Sequence, residues 1–244
     1  MTTWINVARY QLLQRMNYLA LPWIWLAFGF GVDLVIFALV PIGTHAVMTG
    51  HGLVEVPNTG GRDAGGMLGI VAVFFALGVL AAARALPFAL ALGVSRRSYY
   101  TGTGLLAVAL SAVYGLALSV LQALERVTDG WGESAHIFRV PYLLDGPWYL
   151  TWLTSFVALS LLFAYGTWFG IVYRRWSLPG TLGFVATQVV VLLVAALLIT
   201  WSHAWVTVGR AFTELSAIGL TGLLAVLAAV LLAGGYVTVR RATV

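Results

Sequence analysis

RALPFALALGVSRRSYYTGT, residues 84–103, sets one proline, two glycines and three arginines into an otherwise largely apolar stretch, between two long apolar runs at about 66–84 and 101–124. Each run approaches the roughly 20 residues, at 1.5 Å apiece, that a helix needs to cross hydrocarbon. Pro87 lacks a backbone donor and clashes with the preceding turn, so it is expected to break the first run. Phe88 to Leu92 then make one apolar helical turn or slightly more, and Gly93 can stop it with a positive φ. Arg96 and Arg97 follow, and Tyr99 and Tyr100 suit the membrane interface. Such a helix is too short to span and too apolar to be left in water. It either lies among lipid headgroups or enters a partner's groove, and the residues alone leave both open.

Working outward, the same pattern recurs along the chain. Of 244 residues, 61% are hydrophobic and 9% charged, whereas soluble domains carry about a quarter charged residues. Apolar segments fall at about 21–42, 66–84, 101–124, 148–172, 180–200 and 214–237, which predicts an all-α membrane protein of six spans in a single transmembrane domain over 1–244. No short apolar core followed by an A-x-A site marks a cleaved signal. Residues 1–20 instead read as an amphipathic interfacial helix: Trp4, Ile5, Ala8, Leu12, Met16 and Leu19 share one face, and Arg9 and Arg15 lie at its edges.

Charge gives the orientation. With the N-terminus inside, nine arginines (Arg9, Arg15, Arg84, Arg96, Arg97, Arg174, Arg175, Arg240, Arg241) lie on the inner side without an acid. Four (Arg62, Arg126, Arg139, Arg210) lie outside beside Glu55, Asp63, Glu125, Asp129, Glu133, Asp145 and Glu214. This matches the positive-inside rule and predicts a plasma-membrane protein with both termini cytoplasmic. The net charge of +5 is therefore read as topology signal and contact with anionic membrane lipids, not as a nucleic-acid surface. Trp201 to Thr213 is too apolar for an ordinary loop and suggests a short re-entrant or interfacial helix.

Several chemistries are excluded by composition. The chain has no lysine, so no Walker A loop, and any ATP that drives it must bind another chain. There is no H-E-x-x-H or G-x-S-x-G, and His45, His51, His136 and His203 lack metal-ligand spacing. No catalytic or metal residues are assigned. Gly60, Gly61, Gly65, Gly66 and Gly69 read as a flexible loop or helix start rather than a phosphate cradle. Asp33 falls near the middle of span one, where a carboxylate costs about 2.5–3.5 kcal/mol, so it should face protein or water. It either lines a pathway, as Gln188 in span five would, or is protonated and bonded to a neighbouring helix through Gln188 or Gln122. Gly29, Gly31, Gly115 and Gly166 read as sites of close helix packing.

The segment quoted at the outset resembles the inner loop of ABC-2 type permeases, and two further pieces are similar to that family's inner boundaries: Phe169-Gly-Ile-Val-Tyr-Arg-Arg-Trp and Gly234-Gly-Tyr-Val-Thr-Val-Arg-Arg-Ala-Thr-Val. The resemblance implies an N-terminal connecting helix bearing Arg9 and Arg15, and re-entrant structure between spans five and six. It also implies a coupling helix over 86–97, in which Leu86, Pro87, Phe88, Ala89, Leu90, Leu92, Gly93 and Val94 enter an ATPase groove beside Arg96 and Arg97. It further implies two permease subunits, identical or similar, and two separate ATPase subunits that carry ATP and Mg2+. The cargo would be hydrophobic or amphipathic: drug-like compound, lipid or peptide. The rival expectation is a secondary carrier using Asp33 as an ion or proton site.

Orientation is directly testable because the chain has no native cysteine. Ser95→Cys should react with an impermeant maleimide only from the cytoplasmic side, and Asn58→Cys only from outside.

Overall fold

A computed structural model describes residues 7, 16–39, 45–49, 52–56, 62–63, 67–128, 131, 135–138, 147–214 and 216–241. A π-turn at Met16–Ala20 leads into α1 (Leu21–Leu39). β1 (His45–Thr49) and β2 (Gly52–Val56) form an antiparallel hairpin, His45 opposite Val56. After β3 (Arg62–Asp63) come α2 (Met67–Leu80), a second π-turn at Ala81–Ala85, α3 (Leu86–Ala91) and α4 (Arg96–Val127). β4 (Ala135–His136) runs parallel to β3 and so joins the two long connections. α5 (Trp148–Trp201), α6 (Trp205–Glu214) and α7 (Ala217–Arg241) complete the chain.

Among the described residues, five helical segments are long and apolar enough to cross a membrane: Tyr18–Val35, Gly69–Ala91, Arg96–Val127, Trp148–Trp201 and Ala217–Tyr236. The molecule is an all-α, multi-pass membrane protein whose short β-pairs lie in its connections. The two segments expected at 148–172 and 180–200 follow one another as two helical arms, together the 54 residues of α5, that meet at a break at Ser177. Straight, α5 would run about 80 Å, far beyond a bilayer. It does not run straight: Ser177 leaves helical geometry at φ 55, ψ −156, with Pro179 just beyond. The Tyr165 hydroxyl donates to Oε1 of Gln188, and the rings of Phe169 and Phe184 meet at 5.1 Å. Residues 23 apart would be about 35 Å apart on a straight helix. Both pairs are symmetric about the break, so α5 folds back on itself as a hairpin.

The first arm of α5 is the centre of the bundle. Gly166 and Gly170, spaced as G-x-x-x-G, lie against Phe75 and against Val79 and Ala82 of the α2 segment, and Gly78 lies against Phe163. Rising numbers meet rising numbers, so α2 and this arm run parallel. A methyl group on Gly166 would overlap the Phe75 carbonyl, and one on Gly78 the carbonyl of Phe163. Small residues permit such backbone contact, which in lipid replaces the hydrophobic drive that water would supply. α4 packs on the other side, with Gly115 against Phe156 and the indole N–H of Trp152 donating to the Ala112 carbonyl at 3.1 Å. α7 is tied on by polar bonds: Thr154 to Thr221 at 2.7 Å, Trp168 Nε1 to the Leu231 carbonyl at 3.0 Å, and the Tyr100 hydroxyl to the Leu232 carbonyl at 2.7 Å. Phe74, Leu77, Leu106, Leu110, Tyr114, Leu159 and Phe163 form the buried core.

Span one is offset from its expected depth. Val7 packs with Ala89 and Tyr99 at the arginine-rich end of the bundle, and the Tyr114 hydroxyl, midway along α4, donates to the Leu19 carbonyl at 2.7 Å. Phe30 already touches Trp131 and Phe138 beyond the far end of α4. The segment expected at 21–42 therefore begins about half-way through the bundle. Hydropathy missed this because residues 1–20 are amphipathic. Arg9 and Arg15 lie outside the described residues. Of the glycines read as packing sites, Gly115 and Gly166 make close contacts, whereas Gly31 has open space around it.

Gly166→Ala and Gly78→Ala should each cost about 1–3 kcal/mol by overpacking, read as a lower thermal midpoint in detergent. Gly222→Ala, which meets open space, should leave the midpoint unchanged or raise it.

Candidate functional site

The candidate site is the arginine-rich end of α2, where the chain turns into α4. In a regular helix the ring of Pro87 would meet the carbonyl four residues back. The chain answers by widening: Ala81–Ala85 form a π-turn, and the Leu86 N–H reaches the Ala81 carbonyl, five residues back. Pro87 then occupies the first turn of α3, where a missing N–H is tolerated. The proline distorts the expected span but does not end it, and the apolar segment continues to Ala91.

α3 stops as its sequence requires. Gly93 adopts φ 80, its N–H donates to the Leu90 carbonyl at 3.0 Å, and the Val94 N–H donates to the Ala89 carbonyl at 3.0 Å. This is the paired bonding of a Schellman end, in which the left-handed residue is cheapest as glycine. Ser95 opens α4 as its N-cap, its Oγ accepting from the Ser98 N–H at 3.1 Å.

Two faces result. Ala89 is buried with Tyr99 and Val7, and Ala85, Leu86 and Val94 pack against them. Phe88 and Leu92, four residues apart and so on one side of the helix, are 50% and 65% exposed. Leu90 and Pro87 are half-buried between these faces, Gly93 and Arg97 are exposed, and Arg96 is half-buried. Arg84, Arg174 and Arg175 are exposed at the same end, the last stacked over Trp176 at 4.9 Å. An apolar stripe is thus presented at the arginine-rich end from a packed base.

Tyr99 makes the base rigid. Expected at the interface, it is in fact buried, its hydroxyl donating to the Ala81 carbonyl at 2.6 Å. That carbonyl therefore accepts from both Leu86 and Tyr99, which locks the π-turn to α4. Tyr100 is half-buried and bonded to α7. The tyrosines looked interfacial because they follow two arginines; the packing of Val7 and α3 against Tyr99 buries it.

The membrane-embedded candidates separate. Asp33 is half-buried near the end of α1, one turn past Phe30, and so near the arginine-poor end rather than mid-depth. Gln188 takes the Tyr165 hydroxyl and serves the α5 hairpin. Gln122 is buried, its Nε2 without a hydrogen-bond partner among the described residues. No group of His, Cys, Asp or Glu among the described residues could hold a metal.

Sequence reading missed one residue altogether. Glu125, counted as an outer-side acid, is buried, and its Oε2 accepts from the N–H groups of Ile137 and Phe138 at 3.1 and 2.8 Å and from Trp131 Nε1 at 3.3 Å. It pins the connection after α4 onto the end of the bundle. Its place directly after the apolar run 101–124 was the only available signal. In comparisons with known proteins, no family, curated sequence or solved structure matches the chain.

Tyr99→Phe removes one of two donors to the Ala81 carbonyl, a loss of about 0.5–1.5 kcal/mol. Amide hydrogen exchange across Leu86–Ala91 should quicken, while exchange in the α2–α5 core stays unchanged.

Proposed function

We propose that this chain is the permease subunit of an ATP-driven exporter of the ABC-2 type. The observation that carries the proposal is the exposed pair Phe88 and Leu92 on a short helix that is braced through Ala89 by Tyr99 and Val7 and lies at the arginine-rich end of the bundle. Burying a phenylalanine or leucine fully contributes about 1.5–3 kcal/mol each, so a groove that accepted both would gain useful affinity. The bracing matters as much as the exposure, since a lever must be stiff to transmit movement.

In this reading α5 contributes two crossings by its hairpin, for six in all, with both termini in the cytoplasm. Two such subunits, identical or similar, form the pathway, and two separate ATPase subunits docked on the cytoplasmic side bind ATP and Mg2+. Closure of the ATPase pair pushes α3; the π-turn and Tyr99 pass that displacement to α2 and α4, and the cavity between the two permeases changes its exposure. The force comes from contacts that differ between the two states, as any such coupling demands. The cargo class is hydrophobic or amphipathic, in keeping with the apolar helices. The chain itself carries out no hydrolysis.

Purification from native membranes in mild detergent tests the assignment. A P-loop ATPase should co-purify in near-equal amount, and Phe88→Asp should reduce its recovery by about tenfold or more while the permease still inserts and keeps its thermal midpoint. Absence of any ATPase from the wild-type preparation, or full recovery with Phe88→Asp, would overturn the proposal.

A further inference from the structure

At the arginine-poor end, Trp23, Ala27 and Phe30 of α1 face Leu121 of α4 and the rings of Trp131 and Phe138 across a cavity of about 180 Å³. Trp23 to Phe30 spans two helical turns, so the cavity extends about 10 Å along α1. Its lining is apolar. The side chains of these residues carry two polar atoms, the Nε1 of Trp23 and that of Trp131, and the latter is engaged by Glu125. Water needs two to four polar partners to enter such a space, and apolar cavities of about 150 Å³ stay dry and take up hydrocarbon instead.

The wall formed by Trp131 and Phe138 is held in place. Glu125 binds both residues, Phe30 stacks with Phe138 at 5.9 Å and meets Trp131 edge-on at 4.9 Å, and Ile137 is buried beneath. On the other side the cavity is bordered by Trp23 and Ala27, both exposed on α1. In a membrane protein that flank meets lipid tails.

We infer that this cavity is a lipid site that takes one acyl chain from the leaflet at the arginine-poor end, with the Glu125-anchored turn as its wall. The inference rests on the chain being a membrane protein and does not depend on the exporter assignment.

The test uses the full-length protein in nanodiscs containing a phosphatidylglycerol or phosphatidylethanolamine with a diazirine midway along one chain. After exchange into mild detergent and then illumination, label should appear on Leu121, Trp131 and Phe138, and native mass spectrometry should retain one lipid. Ala27→Phe, which narrows the mouth, should reduce both by about tenfold, whereas Ala109→Phe, at an exposed position of α4, should not. If Ala27→Phe does not fold, excess unlabelled lipid serves instead, and it should suppress the cavity label before the label on exposed Val190 and Leu192. Equal labelling of cavity and exposed positions, absence of all label after detergent exchange, or labelling of the cavity by a photoreactive quaternary ammonium but not by the lipid would each overturn the inference.

Discussion

Where Gly78 faces the Phe163 carbonyl and Gly166 faces that of Phe75, only a hydrogen atom fits between two helical backbones. Lipid tails are as apolar as leucine, so a helix in a membrane gains nothing by hiding apolar surface. What it gains is close contact, and the glycine row supplies that along one side of α2. The remaining arrangement follows from this parallel pair. α4 seats Gly115 on the opposite side of the first arm of α5, and α7 closes the group through carbonyls bonded by Tyr100 and Trp168.

Because α2 is held along its length, the distortion caused by Pro87 is confined to a single wide turn. The π-turn leaves the Ala81 carbonyl available for a second donor, and Tyr99 takes it. A proline usually loosens a helix; here its effect is met by a hydroxyl from the next helix, and α3 is fixed in direction rather than hinged. The proposed docking stripe depends on that stiffness. At the other end a different device does comparable work, since one buried carboxylate gathers three N–H groups and holds the connection after α4 over the bundle.

Much of this was legible in the residues. Gly93 stops α3 at the position its conformational freedom implied, and the apolar runs became helices because nothing in them could satisfy a backbone outside a helix. Other features depended on contacts between distant segments. Tyr99 and Glu125 read as interfacial and as outer-side residues, and both are buried because other segments pack over them. Asp33 read as mid-span because hydropathy averages over a window and cannot register that the helix was already half-way through the bundle at Leu19. The β1–β2 hairpin was not anticipated, since two five-residue strands in a glycine- and histidine-rich connection give too short an alternation to notice.

By itself the sequence determined the solvent, the helical class, the clustering of arginines at the ends of apolar runs and the end of α3, because each rests on local composition or on the conformational range of one residue. Tertiary structure alone decided which helices run side by side, how deep span one lies and which polar groups are buried. Those are matters of how surfaces meet, and a linear pattern carries no distance between residues far apart along the chain.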